Sequence, residues 1–279
     1  MYHYSVIQWL FFFYFYCFCG WCFESAYVSV RTRKLTNRGF MRGPFLPIYG
    51  SGAIMMLVVS MPFQDNIFLT YLAGCVGATA LEYVTGVTME ALFKVRYWDY
   101  SNQKFNFQGH ICLGSTLVWG VFTVVMTRFV HVPVEKMVLA IPYKVLAVVT
   151  MVLTVGIVAD FALSFKAAID LRNILARMEQ AKEELSNVQK RLNALIMHTG
   201  EELANRREAF AENVKEELAE LKAKYNLMQE ARNRITGLLD VFQKNMIRSN
   251  PGMTSVKYKE SLEELKEKLK EKRKKNKDE

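Results

Sequence analysis

After residue 165 the 279-residue chain contains no tryptophan and no cysteine, and from Lys166 onward it has neither proline nor glycine until Gly200. A stretch without helix breakers, aromatic anchors or long apolar runs does not build a mixed globular core. It reads as extended helix in water. Catalytic signatures are missing as well. There is no nucleophile elbow, no Walker motif, no HExxH and no paired-carboxylate pattern, so no catalytic residue and no cofactor is expected. The five cysteines (Cys17, Cys19, Cys22, Cys75 and Cys112) lie in or beside apolar runs with no second CxxC pair or histidine partners. They predict small packing residues in helices, not a zinc site or a disulfide framework. Basic residues interleaved with aromatics are also lacking, and with them the expectation of a nucleic-acid partner. The N-terminus has no basic n-region and no small-residue cleavage site, so its apolar run is expected to be retained as a span, not removed as a secretory signal.

What is present divides the chain in two. The composition is 51% hydrophobic and the mean hydropathy +0.05, but that average hides an apolar first part (1–165) and a Lys/Glu-rich second part. Five apolar runs (4–23, 45–61, 67–93, 113–130 and 145–165) predict an all-α membrane domain of five spans in the lipid bilayer. The net charge is +9, much of it in the 31–42 loop and the tail from Lys266. Basic charge follows the first, third and fifth runs, which predicts the N-terminus outside, the C-terminal half in the cytoplasm and a multi-pass protein of the cell membrane. Residues 166–247 predict cytoplasmic coiled-coil helices. One seam runs through Leu171, Met178, Leu185 and Leu192, with Ile174, Ala181, Val188 and Leu195 beside it. The pattern breaks at 198–201, where a hairpin turn or a continuous rod both fit. It resumes with Val214, Leu221, Met228, Ile235 and Phe242, beside Ala211, Leu218, Tyr225 and Leu239. Ser249-Asn250-Pro251-Gly252 predicts a turn, and 253–279 a short helix with a basic tail.

Chemistry concentrates in two loops between the spans. Residues 31–50 begin with five basic residues in twelve (Arg31, Arg33, Lys34, Arg38 and Arg42) and end in a segment punctuated by Gly43-Pro44 and Pro47, which suits no undisturbed helix start and predicts re-entry into the membrane. Residues 93–113 look like its counterpart. Gly20 precedes Glu24 by four positions and Gly43 follows it by nineteen; Gly86, Glu90 and Gly109 repeat both spacings. Parallel repeats of this kind are a transporter-like feature, although glycine is common enough in membrane helices for coincidence to compete. Acids inside apolar runs cost about 2.5–3.5 kcal/mol at a helix centre. Glu82 is the deepest, about 12 Å along the helix from Glu90. Glu82, Gly86 and Glu90 are four apart and share one helix face. Either Glu24, Glu82, Glu90 and Asp160 line a polar cavity with Arg38 or Arg42, or the shallower acids sit at the water interface and pair with loop arginines. Tyr97, Trp98 and Tyr100 around Asp99 could cap such a site or form an interfacial belt. The candidate substrate-binding set is Glu24, Arg38, Arg42, Glu82, Glu90, Trp98, Asp99 and Asn106, with no catalytic residue and no metal ligand. His110 alone is not expected to be a ligand.

Several loop motifs stand together: Asn37-Arg38-Gly39-Phe40, Gly43-Pro44, Tyr49-Gly50, Glu82-Tyr83, Glu90, Trp98-Asp99-Tyr100-Ser101, Phe105-Asn106, Gly109, Ile111-Cys112-Leu113 and Trp119-Gly120. On these the sequence, over residues 10–165, resembles a bacterial family of ABC-transporter type IV proteins, the CmpB-like permeases. The resemblance implies a transporter permease, and any ATPase would be a separate subunit because no nucleotide-binding motif is present. His110 stands where relatives are expected to carry arginine. Two other functions stay open beside the permease. In one, the spans only anchor a scaffold whose coiled coil drives homo-oligomers or recruits a partner helix. In the other, the domain acts on lipid.

Overall fold

The computed structural model describes residues 3–202 and 208–278. Two compact units emerge from it, and the first joins Met1–Ile169 with a later segment, Phe242–Val256. Its helices are α1 (Val6–Thr32), α2 (Pro47–Ser60, extended by a 3-10 turn to Phe63), α3 (Ile67–Phe93), α4 (Leu113–Val125), α5 (His131–Leu139) and the first part of α6 (Tyr143–Glu202). A two-residue hairpin of β1 (Asn106–Phe107) and β2 (Ile111–Cys112) lies in the second loop, and α8 (Val241–Ser249) lies in the returning segment.

Four helical stretches are long and apolar enough to cross a membrane: Val6–Arg31, Ile67–Phe93, Leu113–Leu139 and Tyr143–Ala194. They make the chain a multi-pass, all-helical membrane protein. The apolar run at 45–61 becomes the shorter helix Pro47–Phe63. At about 1.5 Å per residue it falls short of a 30 Å hydrocarbon core. Pro47, which reads as an interruption in the sequence, is the first residue of α2. There its missing N–H costs nothing, and its fixed φ suits the first turn. The fourth run also ends later than its composition suggests. A π-helical turn (Met126–Val130) carries α4 into α5, so helix persists to Leu139 through a stretch that reads as a charged connector.

Local chemistry sets the ends of these helices. Ser5 caps α1 reciprocally with Gln8, and the Asn66 carboxamide accepts from the amides of Phe68 and Leu69 at the start of α3. Both α1 and α3 close on a basic residue in the left-handed region, Arg33 (φ 52°) and Lys94 (φ 58°), next to their negative C-terminal ends. Between the helices, backbones approach at glycines. A Cβ on Gly20 would lie 2.3 Å from Tyr49 Cβ, and one on Gly74 would lie 2.2 Å from Thr123 Oγ1. This is the packing by small residues that membrane helices depend on, where lipid removes the hydrophobic drive. The core at this level includes Phe12, Tyr16, Met56, Leu57, Ala78, Met126 and Leu146.

The unit has two polar ends. At one, Arg128 donates to the Gln64 carbonyl and Tyr4 reaches His131 and Glu135. At the other lie the loops that follow α1 and α3, and Leu46 N–H donates to the Cys17 carbonyl at 3.0 Å as α2 begins.

The second unit holds Asp170–Val241 and Lys257–Glu279. It contains the later part of α6, α7 (Glu208–Gly237) and α9 (Lys259–Asp278). Leu171, Ile174, Met178, Leu185 and Val188, the rows picked out by their sevenfold spacing, are buried, as are Leu262, Leu265 and Leu269 of α9. Ser261 donates to Glu179 at 2.6 Å and Lys182 pairs with Glu260, so α9 packs beside α6. On α7, Leu218, Leu221, Tyr225 and Met228 stay half-buried. Helix continues through 198–201 to Glu202; the link to α7 (203–207) and the side chains of Leu195, Ala211, Val214 and Ile235 lie outside the described residues. Helix α9 carries the basic tail to Asp278.

Candidate loop-end polar site

The first loop leaves α1 and returns into α2, and its charges fold back on the helices that bracket it. Arg38 Nε lies 3.5 Å from Glu24 Oε2, and Tyr49 donates its hydroxyl to Glu24 Oε1 at 2.6 Å. Tyr49 reaches that carboxylate across Gly20, whose missing side chain leaves room for the ring. Asn37 is tied on both sides, accepting from the Trp21 indole at 2.6 Å and donating to the Arg42 carbonyl at 2.7 Å. The Asp160 carboxylate of α6 then accepts the amides of Arg42 (3.2 Å) and Gly43 (2.8 Å). Asp160 therefore holds the loop backbone, while the Arg42 side chain stands over the Phe242 ring, 4.7 Å from its centroid.

The second loop repeats the scheme with other residues. Glu90 receives Arg96 Nε at 2.8 Å and His110 Nε2 at 3.0 Å. His110 sits across Gly86 as Tyr49 sits across Gly20: a Cβ on Gly86 would lie 2.9 Å from His110 Nδ1. The spacing repeat thus corresponds to a geometric one. In each half a glycine opens a slot, a ring from the following segment fills it, and that ring hydrogen-bonds the glutamate one helical turn on, which also pairs with a loop arginine.

Protonation follows from these surroundings. Burial first, then the Arg96 charge, lowers the His110 pKa below its ordinary 6.5 despite Glu90 and Asp99. The ring is therefore neutral at pH 7 and donates Nε2–H to Glu90. Asp99 loses solvation to burial, which opposes ionisation. Hydrogen bonds from the Ser101 hydroxyl and amide and from Thr254, with the Arg96 charge, outweigh that and hold it below the usual carboxylate value. Burial pushes the Tyr97 phenol up. Burial and then the neighbouring Glu82 push up Tyr100.

Glu82 itself is buried within α3 at 6% exposure. Its Oε1 accepts from Tyr100 at 3.0 Å, and its Oε2 from the Trp119 indole at 2.9 Å and Ser115 at 3.2 Å. Three neutral donors surround the carboxylate. Phe40 of the first loop packs against Phe93 (5.6 Å between ring centroids), Tyr97 (6.2 Å) and Phe161 (5.8 Å).

Six of the eight residues singled out in the sequence thus carry the charged network or sit in its wall: Glu24, Arg38, Arg42, Glu82, Glu90 and Asp99. The other two bond to backbone. Trp98 donates to the His110 carbonyl at 2.9 Å, and Asn106 bonds to the Ser101 and Gln103 carbonyls and accepts the Gly109 amide. They shape the loop. Among the described residues no group of three or more His, Cys, Asp or Glu could hold a metal ion.

Two features escape a sequence reading. One is Phe242–Val256, which joins the membrane unit and touches both loops. Arg38 Nη1 donates to the Ser249 carbonyl at 2.6 Å, and Arg96 and Thr254 exchange backbone hydrogen bonds of 2.7 and 2.9 Å. Its Asn-Pro-Gly turn was the available signal, but a turn does not say where the chain goes next. The other is fully buried His131 at the far end, bonded through Nδ1 to Tyr16 at 2.8 Å and through Nε2 to Tyr4 at 3.0 Å. Tyr4 donates in turn to Glu135, so it must accept from Nε2–H, and Tyr16 donates to Nδ1. A lone histidine following an arginine in an apparent connector gave no hint of this.

Among known proteins, the model of the family described as "Putative ABC-transporter type IV" matches residues 11–165. No curated protein and no solved structure matches the chain.

Proposed function

The chain belongs to the family described as "Putative ABC-transporter type IV", and on that premise we propose that it is a permease-like membrane protein with a polar site in its cytoplasmic half. The two loops and the acids of α1 and α3 form that site. Glu24, Arg38, Arg42, Glu82, Glu90 and Asp99 act on the substrate, with Trp98 and Asn106 holding the second loop in shape. The N-terminus faces outward and the chain crosses five times, α2 making the second, shorter crossing. The basic loops after α1, α3 and the apolar part of α6 support that orientation.

One observation carries the reading: a buried carboxylate in a spanning helix, Glu82, satisfied by three neutral donors. Intramembrane acids are costly and mark pathways or binding positions. Donors from Tyr100, Ser115 and Trp119 keep Glu82 from being stranded in the empty state. A cationic or hydrogen-bonding substrate group could displace any of them without leaving an unpaired charge. An ATPase would be a separate subunit.

A second reading, that the spans anchor a scaffold, draws on the half-buried row Leu218, Leu221, Tyr225 and Met228 of α7, which suits a partner helix. One experiment separates the two. The full chain is purified from its own membranes in mild detergent, and co-purifying small molecules and ATPase subunits are identified by mass spectrometry. The permease reading expects a bound small molecule that is lost in Glu82→Gln while thermal unfolding is unchanged. Retention of the molecule in Glu82→Gln, or its loss only when α7 is altered, would overturn it.

A further inference from the structure

We propose that Phe242–Val256 is a plug carried by the chain itself, a releasable segment whose seated position closes the two-loop face. The proposal rests on the permease reading for its purpose and on contacts alone for its geometry.

The segment touches both halves of the candidate site at once. On the first loop Arg38 donates to the Ser249 carbonyl, and the Arg42 guanidinium stands over Phe242. On the second, Arg96 and Thr254 form an antiparallel bridge and Thr254 Oγ1 donates to Asp99 Oδ2 at 3.1 Å. There too Ser255 donates to the Lys94 carbonyl at 2.5 Å, and the Tyr97 hydroxyl points at Met246 Sδ at 3.4 Å. Met246, Ile247 and Met253 of the segment are buried. Loops that must bind and release a substrate are therefore covered by 15 residues of the same chain.

Three features mark a plug and not one more piece of core. First, the loop residues it covers all lie within the stretch that defines the family, 11–165, and the segment lies outside it. Second, it meets the loop arginines with a carbonyl and an aromatic face, neutral stand-ins that a carboxylate or phosphate would outcompete at Arg38 and Arg42. Third, residues of the other unit flank it on both sides in sequence, 170–241 and 257–279. A partner that rearranges that unit acts along the chain on both ends of the plug.

Amide hydrogen exchange of the full-length chain in lipid nanodiscs tests this, comparing wild type with Thr254→Pro, which removes the donor to Arg96, and Met246→Ala, which alters no backbone bond. Release predicts that both variants speed exchange at the Arg96 amide by about tenfold or more, while the Gly43 amide, held by Asp160, and the amides of α3 stay as in wild type. Acceleration of Gly43 and α3 together with Arg96 would make the segment part of the core and overturn the plug; so would unchanged exchange at Arg96. If Thr254→Pro does not fold, Met246→Ala decides alone. The same variants are then carried through the small-molecule purification, where an opened face retains more ligand than wild type. Opening with no more ligand than wild type overturns the closing role, and ligand in no variant removes the permease reading as well. A face that does not open removes the plug whatever Glu82 binds.

Discussion

A glycine four residues before a glutamate means little as letters, since glycine is ordinary in such helices. At Gly20 and Gly86 the absence of a side chain admits a ring, Tyr49 or His110, to the glutamate one turn further on. Gly20→Ala places a methyl group 2.3 Å from Tyr49 Cβ. Overpacking of that kind costs about 1–3 kcal/mol, and thermal unfolding in detergent should drop accordingly. Gly52→Ala, with nothing within 4 Å of the new Cβ, should unfold as wild type. His110 supplies a pH dependence of definite sign. Its pKa in the folded protein lies below the ordinary 6.5, so the unfolded chain takes up the proton first as pH falls. Stability is intact above pH 6.5 and declines below it toward the folded value. Between pH 7.5 and 5.5 the wild-type unfolding temperature should fall further than that of His110→Gln; equal declines would remove His110 as the cause.

At the scale of elements, long apolar runs translate directly into helices, because burying an unpaired backbone in lipid leaves no alternative. The spans beginning at Val6, Ile67, Leu113 and Tyr143 were legible for that reason. Residues at their ends were harder. Pro47 reads as a breaker, yet it opens α2, because a proline at the first helical position removes no hydrogen bond. Arg128 and His131 read as an exposed turn, yet they lie in continuous helix because a π turn absorbs the irregularity. In the candidate site, charge and glycine spacing pointed to Glu24, Glu82 and Glu90, but contacts distant in sequence, such as Thr254 with Arg96, leave no local pattern to read. The short α2 carries the topological proposal, since a second crossing puts the 64–66 connector opposite the two loops. In a background lacking the exposed Cys19 and Cys22, Asp65→Cys should react with a membrane-impermeant maleimide on intact cells. Leu35→Cys, on the exposed first loop across α2, should react only after permeabilisation. The reverse pattern would invert the chain, and labelling of neither or both from outside would remove the second crossing.

For the molecule as a whole, the sevenfold apolar rows of α6 suggested an oligomer seam or a partner helix. Within the single chain the rows from Leu171 to Val188 are buried, and Leu262, Leu265 and Leu269 of α9 are buried in the same unit. Periodicity announces that a face needs covering and cannot name what covers it. Here the contacts of Ser261 with Glu179 and Lys182 with Glu260 bring α9 to that face, while the row on α7 stays half-buried. If α9 is the cover, Leu265→Ala should destabilise the second unit by about 2–5 kcal/mol, the range for a buried leucine truncation. Leu227→Ala, at a position 68% exposed, should change little. Leu265→Glu goes further, because a charge there cannot remain buried beside Leu262 and the uncovered α6 rows become available to a second chain. Light scattering of the nanodisc-reconstituted protein should show Leu265→Glu at a higher mass than wild type. A variant that keeps both the wild-type mass and the wild-type unfolding temperature would mean that α9 is not what covers α6.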